Sequence, residues 1–468
     1  MTTAPTANRR SDELRESDPP TRQLVDTLAP VLGEGVAIGD LVRLSGGASR
    51  ETWSFRARVG SAPSIELILR RDPPTRPGLD GSMRLEANAM RAARIAGLQA
   101  PHVVVDDDGS TLGTAGLVME RVPGETLARR ILRDDEYAPA RAVLAAELGQ
   151  FFAGLHALDP ATVPGLIFGN PLVNYRARYA LLGEVSVTFE ATFRWLEAHV
   201  PEPAGDAVVH GDLRLGNIIV GPEGLRAVID WELVHRGDPL EDLGWVCVKA
   251  WRFGSPLPAA GVGTIDELVT AYEGAGGRPI DRNALHWWLV LNTLKWGVGC
   301  MGQASVHLQG MQRSVELAAI GRRVCEQEWD LLLLLAPDAC RAALGAEQPV
   351  VGPTDPGLHG RPTAVELIDA AREFLTDDVM AATDGRVAFH ARVAANVLAT
   401  VQRELTLGPA QERRHRARLA SLGATSDESL AARVADGVFD GRTDELFAAL
   451  AAAVRDKLAV ANPNYAYQ

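Results

Sequence analysis

The segment His210–Asn217, with the sequence HGDLRLGN, decides how the chain is interpreted, together with Val228–Trp231, VIDW, which follows it. Asp212 stands five residues before Asn217, and an apolar stretch then leads to a second carboxylate, Asp230. Carboxylate and amide oxygens are the hard ligands that Mg²⁺ binds. A carboxylate held beside them can also accept the proton of a hydroxyl group. The spacing therefore predicts a proton acceptor next to a magnesium site.

These groups follow one another in the order of the catalytic apparatus of kinases, in which an Asp, an Asn and a second Asp serve phosphoryl transfer from a nucleotide. Arg214 lies two residues after Asp212, where a cation can stabilise the transferring group. We therefore predict that Asp212 and Arg214 are catalytic and that Asn217 and Asp230 hold Mg²⁺. The alternative is a structural turn of Asp, His and Asn between two strands, which the complete ordered set disfavours.

On these segments the chain resembles the aminoglycoside-phosphotransferase-like family, which has the protein-kinase-like fold. The two segments are HGDLRLGNIIV from His210 and VIDWELVHRGDPLEDLGWV from Val228. Within the family, they are similar to the branch found fused to acyl-CoA dehydrogenases rather than to the antibiotic-modifying enzymes. The resemblance covers residues 41–335 and implies ATP and Mg²⁺ as cofactors. It also implies a two-lobed α+β fold, with a small antiparallel β N-lobe and a mostly helical C-lobe.

The resemblance also places a nucleotide-binding site on the N-lobe. The residues assigned to it form a phosphate-covering turn, one face of a strand with its helix partner, and the strand and hinge beside the adenine. They are Ser45, Gly46, Gly47, Ala48 and Ser49; Ile68, Arg70 and Glu86; and Met119, Glu120 and Val122. Arg70 replaces the lysine that kinases usually carry on this strand. Glu86 is its predicted ion-pair partner, and an exposed helix glutamate is an equally open alternative.

Composition excludes several classes of protein. The chain has 468 residues, with 47 Lys and Arg against 60 Asp and Glu, which gives a net charge of −13 and argues against a general nucleic-acid binder. No two of the 4 cysteines have a metal-ligand spacing, and so few suggest reduced thiols. The polar N-terminus is unlike a signal peptide, and no apolar run could span a bilayer. We therefore predict a cytoplasmic protein without nucleic-acid or membrane partners.

The chain is predicted to contain four segments: a disordered N-terminus over 1–20, the kinase-like domain over 21–345, a linker over 346–363, and a separate all-α domain over 364–468. The first is charged and poor in large apolar residues, and the linker is rich in Pro and Gly. In the last, apolar residues recur at intervals of four and predict the core face of a helix. They are Phe389, Val393, Val397 and Val401.

The expected function is ATP- and Mg²⁺-dependent phosphorylation of a hydroxyl group on a small molecule, and the family branch favours a hydroxyacyl or carboxylate-type alcohol. Trp288, Asn292 and Lys295 share a helix face that suits such an acceptor, although core packing is the more common role of such tryptophans. Two alternatives stay open: an aminoglycoside or macrolide phosphotransferase, and a nucleotide-binding pseudokinase or scaffold that acts through the C-terminal helices. Those helices could also join two copies in a homo-oligomer.

Overall fold

The computed structural model describes residues 19–44, 50–73, 82–346, 358 and 360–467. The predicted phosphate-covering turn, Ser45–Ser49, lies outside the described residues, as do residues 1–18 and most of the predicted linker. The chain divides into two compact units, Met1–Gly169 with Pro203–Arg282, and Asn170–Glu202 with Asn283–Gln468. This division does not coincide with the predicted domain boundaries, which stay predictions.

The first unit begins with a five-stranded antiparallel sheet in the order β1-β2-β3-β5-β4. The strands are Val36–Arg43 (β1), Glu51–Val59 (β2), Ile65–Arg71 (β3), Val103–Asp108 (β4) and Ala115–Glu120 (β5), and the accompanying helices are Pro19–Leu32 (α1) and Ser82–Ile95 (α2). Apolar runs bounded by turn residues predict strands over 41–44, 52–59, 65–71, 103–106 and 116–121. The structure has a strand at each of these places, but β1 begins five residues before its prediction. Local sequence gives no prediction of α1.

Helix α1 covers one face of the sheet. It begins at Pro19, a residue type suited to the first turn of a helix because its missing N–H has no partner there anyway. Leu24 and Leu28, one turn apart, are fully buried in a core that also contains Leu69 of β3 and Val118 of β5. The sheet therefore has one face closed by α1.

Alternation along β3 separates this core from the opposite face. Leu67 and Leu69 belong to the core under α1. Ile68 pairs with Met119 of β5, and both side chains are half-buried. Arg70 is two residues beyond Ile68 and lies on the same face, so the sheet presents its guanidinium on the side away from α1.

The remainder of the first unit carries the two motif segments. Its helices are Ala128–Arg133 (α3), Ala138–His156 (α4), Leu240–Trp245 (α7) and Ile265–Gly274 (α8), and its strands are Ala207–Val209 (β6), Ile218–Gly221 (β7), Gly224–Val228 (β8) and His235–Gly237 (β9). Strand β6 pairs with β9, and β7 pairs with β8. The connection from β6 to β7 contains Asp212 and Asn217, and Asp230 follows β8. These two short antiparallel pairs bring the motif segments into one region.

The second unit is helical. Its helices are Pro171–Leu182 (α5), Val187–Ala198 (α6), Arg282–Leu308 (α9), Val315–Gly321 (α10), Val324–Leu335 (α11), Pro337–Gly345 (α12), Ala364–Glu373 (α13), Met380–Ala382 (α14), Gly385–Ser421 (α15), Asp427–Ala435 (α16) and Thr443–Ala461 (α17). Trp329 of α11 is fully buried in a core formed with residues of α6, α12, α16 and α17. The C-terminal region is therefore all-helical, as predicted, and packs on earlier helices. No helix among the described residues is long and apolar enough to cross a bilayer.

The predicted core stripe of α15 is wrong. Phe389 and Val401 are exposed, and the buried side chains of that part of the helix are Ala391 and Ala395. Val393 and Val397 are half-buried. At about 100° per residue, Ala391 and Ala395 lie about 160° around the helix from the middle of the predicted stripe, so α15 buries the opposite face, which carries small residues.

The buried face of β3 gives a stability prediction. Leu69→Ala removes a fully buried side chain from the core under α1 and is expected to lower the free energy of unfolding by about 2–5 kcal/mol. The control is Ile65→Ala on the same strand, where a side chain that is 43% exposed is removed at a cost below about 1 kcal/mol. Urea titrations followed by tryptophan fluorescence measure both values. Equal losses in the two variants would contradict the assigned faces of β3.

Candidate active site

A buried carboxylate and a glycine fix the loop between β6 and β7. Asp242 of α7 is fully buried and accepts hydrogen bonds from the backbone N–H groups of His210 at 2.8 Å and Gly211 at 2.9 Å. Its Oδ2 also lies 3.2 Å from His156 Nε2. Gly211 has φ of +78°, and a Cβ at this position would lie 2.7 Å from the carbonyl oxygen of Leu233. The position therefore requires glycine, and the loop is held from both sides.

Asp212 is held by donors on both of its carboxylate oxygens. Trp245 Nε1 donates to Oδ1 at 3.1 Å, and Asn217 Nδ2 donates to Oδ2 at 2.7 Å. Arg214 Nε lies 3.5 Å from Oδ1, and its guanidinium carbon lies 4.9 Å from the centre of the Trp251 ring. The structure thus gives the predicted proton acceptor a fixed orientation, with the predicted catalytic arginine beside it.

Asn217 connects Asp212 to the strand that leads to Asp230. Its Nδ2 donates to the backbone oxygen of Asp212 at 2.8 Å as well as to the carboxylate, so its Oδ1 is turned to the opposite side of the amide. Its backbone oxygen accepts a hydrogen bond from Ile229 N–H at 2.9 Å. Asp230 follows with φ of +66°, a left-handed conformation that aspartate tolerates better than most residues. The structure therefore brings Asp212, Asn217 and Asp230 into one neighbourhood.

Arg70 forms the predicted ion pair with Glu86. Its Nη1 donates to Glu86, which is 1% exposed on α2, and its Nη2 donates to Asp230 Oδ1 and, at 3.1 Å, to Glu232 Oε2. One guanidinium thus contacts three carboxylates from two segments, α2 and the turn that follows β8. The exposed-helix alternative for Glu86 is excluded, because this side chain is buried.

Sequence reasoning missed Arg50, which enters the same network. Its Nη1 donates to Glu86, and its Nε lies 3.3 Å from Asp72 Oδ1 and 3.9 Å from Glu232 Oε2. The side chain is 8% exposed. Glu232 was quoted in the motif but received no role. The available signal was position: Arg50 directly follows the predicted phosphate-covering turn, and Glu232 stands two residues after Asp230.

The predicted adenine side of the site is placed on β3, β5 and the chain beyond β5. Ile68 and Met119 are register partners and half-buried, as expected for residues that line a slot. Val122 is half-buried just after the strand. Glu120 is exposed, and its carboxylate lies 3.9 Å from Arg94 on α2, so its side chain has no part in the charged network. For Glu120, only the backbone is suited to reading a base edge.

His210 braces the loop as a neutral side chain. Its ring is fully buried against Trp231, with centroids 4.8 Å apart. Nδ1 accepts the hydrogen bond of Asp212 N–H at 3.2 Å, so the proton resides on Nε2, which donates to Ile229 O at 3.2 Å. Burial lowers the pKa of His210 below its ordinary value. A neutral imidazole suits a structural role in the loop.

Charges in the Arg70 network shift the pKa values of their partners in opposite directions. Burial raises the pKa of Glu86 above its ordinary value, and Arg70 and Arg50 only partly offset that effect. Burial also opposes ionisation of Asp230, but Arg70 outweighs it and lowers the pKa of Asp230. The carboxylates raise the pKa of Arg70 against the effect of its burial. The ion pair with Arg70 therefore favours the ionised form of Asp230.

The donor set at Asn217 and Asp230 fits a magnesium ion. Both offer hard oxygens, and the fixed Nδ2 of Asn217 leaves its Oδ1 free of Asp212. Within the described ranges, no group of three or more His, Cys, Asp or Glu side chains is suited to hold a metal. A pair of protein ligands agrees with Mg²⁺, which keeps several waters and binds substrate phosphates, and disfavours a metal held in an all-protein cage.

The predicted acceptor wall lies on α9 of the second unit. Trp288, Asn292 and Lys295 are all buried there, and Lys295 Nζ lies 5.9 Å from the centre of the Tyr175 ring. Burial of all three side chains agrees with the packing role that the sequence left open.

Comparison with known proteins decides the family. The family described as Phosphotransferase enzyme family, APH, matches residues 40–288, which is more than half of the chain. The chain belongs to the phosphotransferase enzyme family. A family described as a domain of unknown function, DUF6285, matches residues 381–465 within the helical second unit. The resemblance to the aminoglycoside-phosphotransferase-like family is confirmed. The C-terminal helical region matches a family whose function is unknown.

Relatives of this phosphotransferase confirm the predicted branch. Acyl-CoA dehydrogenase family member 10 from Mus musculus is 27% identical over 270 residues, 52% of this chain and 24% of its own length. Family member 11 from Mus musculus is 28% identical over 204 residues, 38% of this chain and 25% of its own length. The chain thus spans about a quarter of the length of these curated relatives.

A solved structure shows the same fold. It is a Ralstonia eutropha protein assigned to the aminoglycoside phosphotransferases, with a TM-score of 0.53 and 21% identity, and the match covers 66% of this chain and 95% of that chain. The predicted α+β, protein-kinase-like fold is confirmed.

The neutral state of His210 gives a prediction on pH dependence. Because the pKa of His210 is lowered in the folded state, the unfolded chain takes up this proton first as the pH falls through about 6.5. The free energy of unfolding should therefore fall between about pH 7 and pH 5. His210→Gln should reduce this slope.

The matched control is His102→Gln, which removes an exposed imidazole of the same unit. Urea titrations at a series of pH values measure each slope. An unchanged slope in His210→Gln would contradict the buried neutral assignment.

Proposed function

We propose that this phosphotransferase transfers the γ-phosphoryl group of ATP to a hydroxyl group of a small molecule, with Mg²⁺ as cofactor. The observation that carries the proposal is the convergence of Asp212, Asn217 and Asp230 around a loop held by Asp242. Two of them offer metal ligands, and the third is a half-buried carboxylate with fixed orientation. Kinases use these parts in the same order along the chain.

On the donor side, the ATP phosphates would meet the Arg70 face of the sheet and the predicted turn Ser45–Ser49. Asn217 Oδ1 and Asp230 would hold Mg²⁺, which when bound neutralises charge on the phosphate oxygens. Arg70 holds Asp230 ionised, so the metal ligand needs no deprotonation near neutral pH. Ile68, Met119 and the Glu120–Val122 backbone would form the adenine slot.

On the acceptor side, Asp212 would accept the hydroxyl proton as the new O–P bond forms and the bond to the β-phosphate oxygen breaks, which releases ADP. The Trp245 and Asn217 hydrogen bonds keep the carboxylate oxygens in position for this transfer. Arg214, beside Asp212, would stabilise charge on the transferring group.

The hydroxyl-bearing acceptor is expected to belong to a particular chemical class. The names of the two mouse relatives support an alcohol derived from an acyl group or a carboxylate. Aminoglycosides and macrolides are the competing acceptors, and a pseudokinase would phosphorylate none of these. Assembly through the C-terminal helices and a cytoplasmic location stay predictions.

Loss of the proton acceptor should slow turnover strongly. With wild-type protein, Mg-ATP and a panel of hydroxyacyl thioesters, amino alcohols and aminoglycosides, ADP release should be fastest with a hydroxyacyl acceptor. Asp212→Ala should slow that reaction by about 10²–10⁴-fold, because no carboxylate accepts the proton.

Asp206→Ala is the control, because it removes an exposed carboxylate that pairs with Arg236. Circular dichroism verifies that both variants fold. Wild-type turnover by Asp212→Ala would contradict the assigned base. Fastest turnover of an aminoglycoside would replace the acceptor class, and ATP binding without turnover of any acceptor would favour the pseudokinase.

Loss of the second carboxylate should change the metal requirement. Asp230→Asn is expected to raise the Mg²⁺ concentration for half-maximal ADP release by about tenfold or more, because one charged ligand is lost. A magnesium titration at saturating ATP measures this shift. An identical titration curve for Asp230→Asn and for Asp206→Ala would remove Asp230 from the metal site.

A further inference from the structure

Glu232 belongs to the second motif segment, and the proposed phosphotransfer gives it no role. It stands two residues after Asp230, and its side chain is 25% exposed. Its Oε2 lies 3.1 Å from Arg70 Nη2, and the same nitrogen donates to Asp230 Oδ1. One nitrogen of Arg70 is therefore shared between a proposed metal ligand and a neighbouring carboxylate.

A buried tryptophan fixes the turn that carries both carboxylates. Trp231 lies between Asp230 and Glu232 in the chain and is fully buried. Its Nε1 donates to the backbone oxygen of Val228 at 3.0 Å, which anchors the turn to the end of β8. With the middle residue held in the core, the carboxylates on either side of it both reach Arg70.

The other end of the Arg70 guanidinium is held independently of these two carboxylates. Its Nη1 donates to Glu86, which is 1% exposed. Arg50 Nη1 donates to the second oxygen of Glu86, and Arg50 Nε lies 3.9 Å from Glu232 Oε2. A change of partner at Nη2 therefore leaves Arg70 attached to α2 through Nη1.

The contact between Arg70 and Asp230 has a consequence for metal binding. A metal ion on Asp230 Oδ1 would share this oxygen with a positively charged donor, and like charges at such a short distance repel each other. Arg70 thus competes with the metal for Asp230. Withdrawing Nη2 from Asp230 costs less when another carboxylate accepts its hydrogen bond, because a buried charged donor without a partner is unfavourable. Glu232 already lies within hydrogen-bonding distance of that nitrogen.

We propose that Glu232 is a positioning residue that acts through Arg70: it retains Nη2 when Asp230 turns to a metal ion. The inference rests on the proposed assignment of Asp230 as a metal ligand. When the carboxylate of residue 232 is out of reach, Arg70 stays on Asp230 and metal binding weakens. Glu232 thereby sets the metal affinity of the site without being a ligand itself.

The first test measures Mn²⁺ binding to the full-length protein without nucleotide, from the electron paramagnetic resonance signal of the free ion. Mn²⁺ takes the same oxygen ligands as Mg²⁺. Glu232→Asp keeps the charge but withdraws the carboxylate from Arg70 by one methylene group, so Mn²⁺ should bind about tenfold more weakly. Unchanged Mn²⁺ affinity in this variant would overturn the proposal.

Glu66→Asp is the matched control. Glu66 accepts a hydrogen bond from Arg121 at 3.2 Å on an exposed part of the same sheet, so the substitution shortens a comparable contact away from Asp230. It should change the Mn²⁺ affinity by less than about twofold. An equal loss in the control and in Glu232→Asp would show that the effect is not specific to residue 232 and would overturn the proposal.

A double-mutant cycle separates action through Arg70 from direct metal binding. Arg70→Gln removes the competing cation and should bind Mn²⁺ about tenfold more tightly than wild type. In this background, Glu232→Asp should change the affinity by less than about twofold, because no guanidinium at position 70 remains to be held. A direct metal ligand would lose the same factor in both backgrounds, and that result would overturn the positioning role.

Two further variants keep the outcomes separate. If circular dichroism shows that Arg70→Gln does not fold, Arg70→Gln combined with Glu86→Gln removes both members of the buried ion pair and serves as the background instead. Asp230→Asn tests the metal ligand itself. If it binds Mn²⁺ as wild type does, the proposed metal site fails together with this inference. If it weakens Mn²⁺ binding and Glu232→Asp does not, only the role of Glu232 is overturned.

Discussion

The guanidinium of Arg70 is the group on which the candidate active site depends. From β3 it contacts Glu86 on α2 and both Asp230 and Glu232 beyond β8. Glu86 lies far along the chain from Asp230 and Glu232, and the planar fork of a guanidinium reaches the two segments with separate nitrogens. The arginine that replaces the usual kinase lysine therefore has a geometric reason in this chain, and Arg50 supports it from the other side of Glu86.

Burial separates the residues that support the site from those that can react. Asp242 and His210 are fully buried, and both accept hydrogen bonds from backbone N–H groups of the loop between β6 and β7. Asp212 and Asp230 are half-buried, so a ligand can reach them, while donors on neighbouring residues hold their orientation. The candidate site thus combines buried supporting residues with two half-buried carboxylates, which is the arrangement that the proposed phosphoryl transfer requires.

Several features could not be predicted because they depend on packing between distant segments. The five strands follow local alternation and turn residues, and local sequence predicted them. Helix α1 was missed because its apolar residues, Leu24 and Leu28, become significant only against the sheet core. The predicted stripe from Phe389 to Val401 was wrong because this part of α15 buries the opposite face, which carries Ala391 and Ala395. The role of Arg50 stayed hidden because its partners come from other elements.

The sequence by itself determined the family, through the resemblance of its two motif segments, together with the fold class that this family has and the order of Asp212, Asn217 and Asp230. Short-range alternation and turn residues in addition predicted strands of the sheet. Only the tertiary structure decided that Arg70 joins three carboxylates and that Arg50 enters the same network. The reason is physical: backbone sterics act over a few residues, whereas pairing of buried charges is set by which distant side chains the packed core brings within hydrogen-bonding distance.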